Sequence, residues 1–116
     1  MLLVVTGTRD FMDYELLKKT ILENYSLNDL IIVSGNCRGA DMLGERFATE
    51  YGLNVKRFPA EWDKYGKYAG PKRNKDMAEF ADEAIVFWNG VSRGTKNMIN
   101  NISVLHKPVK VMYYNR

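Results

Sequence analysis

The chain alternates short continuous apolar runs with stretches whose apolar residues recur every three or four positions, a pattern that predicts most of its elements. Leu2–Thr6 is an apolar run and reads as strand one. Asp13 caps a helix that continues to about Tyr25, with Leu16, Leu17, Ile21 and Leu22 at helical spacing. Leu30–Ser34 is strand two, of the kind buried on both faces. Ala40 to Tyr51 is a second helix that carries Leu43, Phe47 and Ala48 inward and stops at Gly52. Asn54–Phe58 is strand three. Pro59 to Pro71 shows no period and reads as one long irregular segment rich in aromatic and charged residues. Lys72 to Ala81 is a helix, Glu83–Trp88 strand four, Thr95 to Leu105 a helix, and Pro108–Tyr113 the last strand. Strands alternating with helices predict an α/β fold, a parallel sheet joined by right-handed crossovers and covered on both faces.

Ligands of such sheets bind beyond the carboxyl ends of the strands, where the strand order reverses. Three glycine-bearing turns fall at those ends: Thr6-Gly7-Thr8-Arg9, Ser34-Gly35-Asn36-Cys37-Arg38-Gly39-Ala40-Asp41 and Phe87-Trp88-Asn89-Gly90-Val91-Ser92-Arg93-Gly94-Thr95. A strand that feeds a helix through such a turn aims backbone N–H groups at one spot and favours an anion there. Gly7, Gly35, Gly39, Gly90 and Gly94 stand where a Cβ would obstruct a tight turn or a ligand, and Thr8, Ser34, Ser92 and Thr95 add hydroxyl donors. Turns of this kind also need glycine and a capping hydroxyl for purely local reasons. Three converging on one edge point to a pocket for a phosphate-bearing small molecule. The long segment after strand three is expected to hang over the same edge.

Composition narrows the classes. With 116 residues, 46% hydrophobic and 27% charged, the chain is expected to form one domain over residues 1–116. A net charge of +3 suits an anionic ligand but is too weak to call for nucleic acid, which is not the expected partner. One cysteine and one histidine exclude a disulfide framework and a Cys/His zinc cluster, and neither metal nor cofactor is expected. Met1–Val5 lacks a basic flank and meets Thr6-Gly7 at once, so it reads as a buried strand and not a signal peptide. No run reaches membrane-spanning length, so the expected setting is the cytoplasm, that of the host if the gene is a phage's.

Several side chains carry candidate chemistry. Asp41 and Glu45 lie one turn apart on one face of the second helix, where a carboxylate either answers the helix dipole or accepts from a ribose or base. Arg73, at the expected start of its helix, opposes the dipole; it pairs either with a ligand phosphate or with a neighbouring acid. Asn74 caps that helix or contacts a base. Trp62, in the polar segment, and Trp88 offer flat surfaces for a nucleobase, with core packing the alternative for both. Cys37 sits at a helix N-terminus, far in sequence from His106, and no catalytic residue is assigned.

Taken together, Gly7-Thr8-Arg9, Ser34-Gly35, Arg38-Gly39-Ala40-Asp41, Gly44-Glu45 and Phe58-Pro59-Ala60-x-Trp62 resemble the YspA/cpYpsA-related branch of the SLOG superfamily. So do Gly70-Pro71-x-Arg73-Asn74-x-x-Met77, Ala81-Asp82 and Phe87-Trp88-x-Gly90-x-Ser92-x-Gly94-Thr95. The resemblance implies a single Rossmann-like three-layer domain with a five-stranded, mostly parallel sheet and a site for nucleotide-derived ligands. It implies binding by Gly7, Thr8, Arg9, Ser34, Gly35, Arg38, Gly39, Asp41, Glu45, Trp62, Arg73, Asn74, Trp88, Ser92, Gly94 and Thr95. Arg73 and Met77 are similar to the Arg-x-x-x-Met helix of LOG-type phosphoribohydrolases, and Gly94-Thr95 to the Gly-Thr of their Gly-Thr-x-x-Glu loop. That loop's glutamate is missing here: Lys96-Asn97-Met98 follows Thr95. The reading is therefore sensing or sequestration of a nucleotide-type small molecule, such as a phage protein taking up a host defence signal. The alternatives are an N-glycosidase acting on a nucleotide, and a single-stranded nucleic-acid adaptor using Lys64, Lys67, Lys72, Arg73 and Lys75. A homodimer through Met77, Phe80, Tyr113 and Tyr114 and a monomer with those residues in its core fit equally.

Overall fold

The structure is a computed structural model that describes residues 1–114. Its five strands, β1 (Leu2–Gly7), β2 (Ile31–Ser34), β3 (Asn54–Arg57), β4 (Glu83–Trp88) and β5 (Val109–Tyr113), form one sheet in the order β3-β2-β1-β4-β5. All four pairings are parallel, so the sheet is wholly rather than mostly parallel. The chain runs outward from β1 to β3, then returns to place β4 against the other side of β1. The strand order thus reverses at the β1/β4 boundary.

Side chains alternate across the strands and divide the core in two. Leu3 and Val5 of β1, Ile32 of β2, and Ile85 and Phe87 of β4 pack under α1 (Tyr14–Asn24) and α2 (Ala40–Tyr51). Val4, Val33, Ala84 and Val86, one residue out of phase, pack under α4 (Ala69–Phe80) and α5 (Arg93–Val104). Burial on both faces is why these strands are continuously apolar. The result is the expected three-layer α/β sandwich. Gly44 lets α2 lie directly on β1, since a Cβ there would come within 2.9 Å of the Val5 side chain. Met77 is buried in the second cluster, whereas Phe80 and Tyr113 are exposed.

The main departure from the sequence reading concerns Pro59 to Pro71. Trp62–Tyr65 forms a short helix (α3), Gly66–Tyr68 a 3-10 turn, and α4 begins at Ala69 instead of Lys72. Gly70-Pro71 looks like a break in sequence, yet it occupies the first turn of α4, where a proline lacks an N–H that would have had no helical partner. Arg73 is consequently the fifth residue of its helix and not its first, so the dipole argument does not apply to it. Likewise α5 begins at Arg93, two residues earlier than expected, because Ser92 accepts from the Thr95 N–H as N-cap. Other boundaries shift by one or two residues at element ends. No helix among the described residues is long and apolar enough to cross a membrane.

Candidate functional site

The reversal point opens at the carboxyl ends of β1 and β4 into a crevice of about 80 Å³, reached also by the β2–α2 turn and by α4. Thr6, Gly7, Arg9, Cys37, Asp41, Arg73, Asn74, Ser92, Gly94, Thr95 and Met98 line it. The local sequence explains how four separate segments meet there.

At the end of β1, Gly7 lies against the backbone carbonyl of Phe87, leaving no room for a Cβ. The Thr8 N–H then donates to Phe87 O at 2.9 Å, and the Thr8 hydroxyl accepts from the Asn89 N–H at 3.2 Å. Thr8 is buried and ties the first turn to the third. Asn89 Oδ1 in turn accepts from the Val91 and Ser92 N–H groups at 2.9 and 3.0 Å, folding the β4–α5 turn into an Asx-type bend. Asn89 was absent from the sequence candidates; an Asn-Gly pair just after a strand is the signal that marks it. Trp88 donates from Nε1 to Ser92 O at 3.1 Å and packs on Tyr113, so its ring braces this turn. The Arg93 and Gly94 N–H groups, in the first turn of α5, have no acceptor among the described residues.

The β2–α2 turn is organised around two carboxylates with different duties. Glu45 accepts from the Ser34 hydroxyl at 2.7 Å through one oxygen and from Arg57 Nε at 2.8 Å through the other. Both oxygens are thereby committed to joining β2, α2 and β3, and Glu45 and Ser34 are buried and do not line the crevice. Asp41 does line it, although only 2% of its surface is exposed. Its Oδ1 accepts from the Thr6 hydroxyl at 2.6 Å and its Oδ2 from the Cys37 N–H at 3.3 Å. Burial pushes the Asp41 carboxyl up to about 6, against the opposing pull of the Thr6 hydroxyl, the Arg73 charge and the Cys37 and Gly7 amides.

Arg73 reaches across from α4. Its Nη1 donates to Gly35 O at 2.5 Å and lies 3.4 Å from Cys37 Sγ, while its Nε donates to Asn74 Oδ1 at 2.9 Å. Asn74 is buried and donates to Gly94 O at 3.2 Å and Asn97 Oδ1 at 3.0 Å, linking α4 to the α5 N-terminus. The space above Gly35 is filled by these groups: a Cβ there would stand 2.6 Å from Asp41 Oδ2 and 3.0 Å from Arg73 Nη1. Gly39, the residue before α2, has φ +81° and packs on the carbonyl oxygens of Thr8 and Arg9, which requires glycine twice over.

Other expected residues stand outside the crevice. Arg38 and Gly39 line a larger neighbouring cleft together with Arg9 and Arg46, and Trp62 is half exposed on α3 with its ring over Gly70. The crevice is thus a polar recess lined by two arginines, Arg9 and Arg73, by one nearly enclosed carboxyl and by Gly94 of the open first turn of α5. That combination suits a small anion with an adjoining hydroxyl-bearing group.

A five-stranded parallel sheet in this order, with helices on both faces and a polar recess at the reversal point, defines a Rossmann-like α/β protein. Among solved structures, DNA processing protein A (DprA) of Streptococcus pneumoniae superposes with a TM-score of 0.76 at 19% identity, over 95% of this chain and 49% of that one. The chain therefore spans about half the length of that neighbour, and the likeness concerns the fold. The gene 61 protein of Mycobacterium phage D29 is 31% identical over 114 residues, covering 91% of each chain. Residues 1–65 match the model of the YspA, cpYpsA-related SLOG family, and the chain belongs to that family. The matched stretch runs from β1 to α3; Arg73 and the α5 N-terminus lie beyond it.

Proposed function

We propose that the protein binds a nucleotide or nucleotide-derived molecule without chemically altering it, placing a phosphate in the crevice between β1 and β4. The observation that carries this reading is the meeting of Arg73 with Gly94 and Thr95 of the α5 N-terminus in one recess. Guanidinium and helix N-terminus are the two protein features best suited to phosphate, and each strengthens the other where water is scarce. Asp41, fixed by Thr6 and Cys37, turns its remaining lone pairs toward a ribose hydroxyl.

Met98 supports binding over catalysis. It is the third residue after Thr95, buried against the crevice, where a phosphoribohydrolase of LOG type carries its glutamate. An apolar side chain there offers no charge to stabilise a developing oxocarbenium ion. Sequestration of a host-made nucleotide signal is the purpose we assign to such binding in a phage, where a relative of similar length occurs. Calorimetric titration of mono-, di-, cyclic and ADP-ribose-type nucleotides into the native protein and into Arg73→Ala tests the reading. It expects at least one ligand that binds the native protein, is recovered intact and loses most of its affinity in the variant. A folded protein that binds none of them refutes it.

A second reading, single-stranded nucleic acid, draws on a different feature at the same edge. A groove of about 210 Å³ runs beside β3 and α4, with Lys56, Arg57, Lys72 and Arg73 set near Phe58 and Tyr65. Cations interleaved with aromatic rings suit a stacked, charged strand, and the structural neighbour is by name a DNA processing protein. Glu45 and Asp76 already pair with Arg57 and Lys72, which weakens the groove's field. Steeply salt-dependent binding of oligodeoxynucleotides that Lys56→Ala reduces, with no mononucleotide affinity, selects this reading over the first.

A further inference from the structure

The crevice is too small for the ligand proposed for it. Its volume of about 80 Å³ is roughly that of two or three water molecules in the liquid, whereas pockets that enclose organic ligands run to about 300–1,000 Å³. A phosphate and part of a sugar fill it, and a nucleobase must lie elsewhere. A cleft of about 570 Å³ adjoins it, and Arg9 lines both.

We infer that this second cleft, between the β1–α1 loop and α2, is the nucleobase subsite, with the aromatic ring held between Met12 and Met42. The inference rests on the nucleotide reading above. The cleft's chemistry suits an aromatic ring joined to an anion. Phe11 and Leu43 supply an apolar floor, and Phe11 is fixed by stacking on Phe87 at a centroid distance of 4.6 Å. Met12 and Met42 stand over that floor with 84% and 46% of their surfaces exposed, a large apolar exposure for two residues facing one cleft. Thioethers are polarizable, adapt their shape and pack well against aromatic rings. Cations ring the cleft. Arg46 lies with its guanidinium carbon 3.8 Å from the Tyr14 ring centroid, and neither Arg9 nor Arg38 has an acid in ion-pairing range among the described residues. Asp10, the one acidic side chain on the cleft, accepts from the Tyr114 hydroxyl. The groove beside Arg73 is the competing direction for the base, but it is smaller, about 210 Å³, and its walls are mostly charged side chains.

The test compares adenosine 5′-monophosphate with ribose 5-phosphate, which shares its anion and sugar but lacks the base. Both are titrated by NMR into the native protein, Met12→Ala/Met42→Ala, Tyr65→Ala and Arg73→Ala. Both methionines are exposed and Ala suits the helical position, so the double variant is expected to fold. The inference expects the base to tighten native binding by about tenfold, and the double variant to lose that advantage while holding ribose 5-phosphate as before. Arg73→Ala is expected to weaken both ligands. A native protein that binds the two ligands equally, or a double variant with undiminished preference for the nucleotide, overturns the subsite and leaves the nucleotide reading standing. Loss of the preference in Tyr65→Ala alone moves the base to the groove and overturns the subsite as well. Failure of the native protein to bind either ligand overturns the inference, while the nucleotide reading stands or falls with the wider nucleotide panel.

Discussion

Asp41→Asn isolates the energetic consequence of burying a carboxyl at the centre of the site. In the folded protein burial raises the Asp41 carboxyl from its ordinary 3.8 to about 6. Between those values the native state holds a proton that the unfolded chain has released. Stability contributed by this group therefore falls as pH rises through the window and is fully lost above about pH 6. A shift of about two units corresponds to roughly 3 kcal/mol, at about 1.4 kcal/mol per unit. Asparagine is isosteric and has no proton to lose: its carbonyl accepts from the Cys37 N–H, and its amide donates to the Thr6 hydroxyl in place of accepting from it. The variant's advantage over the native protein should grow by up to about 3 kcal/mol between pH 4 and pH 7, a difference of about 1–3 M in urea midpoint for a domain this size. Urea unfolding followed by fluorescence of Trp62 and Trp88 at several pH values measures it. An advantage that is flat with pH, or that shrinks as pH rises, refutes the claim that burial dominates at Asp41.

Other substitutions probe the frame around the site. Gly44→Ala gains about 1 kcal/mol of helix propensity but drives a Cβ to 2.9 Å from Val5 Cβ. The overpacking costs about 1–3 kcal/mol, so thermal melting should show equal or lower stability, never a gain. Gly39→Ala combines φ +81° with a collision against Thr8 O and should destabilise by more than 2 kcal/mol in a denaturant titration. Glu45→Ala leaves the buried Ser34 hydroxyl and Arg57 without their shared acceptor. It should cost about 2–3 kcal/mol on unfolding and leave nucleotide affinity, measured by calorimetry on the folded fraction, nearly unchanged.

The layout of the sheet was legible because apolar runs such as Leu2–Thr6 and Leu30–Ser34 have one good explanation, burial on both faces, and each ends in a glycine turn. The stretch from Trp62 to Pro71 was not, because Gly70-Pro71 carries the same local signal whether it breaks a helix or occupies its first turn. In the folded chain the Trp62 ring packs over Gly70, a contact the local sequence does not announce. Among site residues, the grouping of Gly7, Asp41, Arg73, Ser92, Gly94 and Thr95 follows from strand order, since all sit at or beside the reversal point. The separate fates of Asp41 and Glu45 do not. One helical turn apart in sequence, they differ because Ser34 and Arg57 reach Glu45 through the β2–β3 register, while Thr6 meets Asp41 from β1. Side-chain pairing over such separations has no local trace in the sequence.

The central claim is that a nucleotide phosphate sits between Arg73 and the α5 N-terminus. Mapping amide chemical shifts in the native protein during titration with adenosine 5′-monophosphate tests it most directly. The expected result is saturable shifts concentrated at Gly7, Gly35, Cys37, Arg93, Gly94 and Thr95, abolished in Arg73→Ala. Saturable shifts confined to the Lys56–Pro59 side of the sheet edge, or none at all in a folded protein, contradict it.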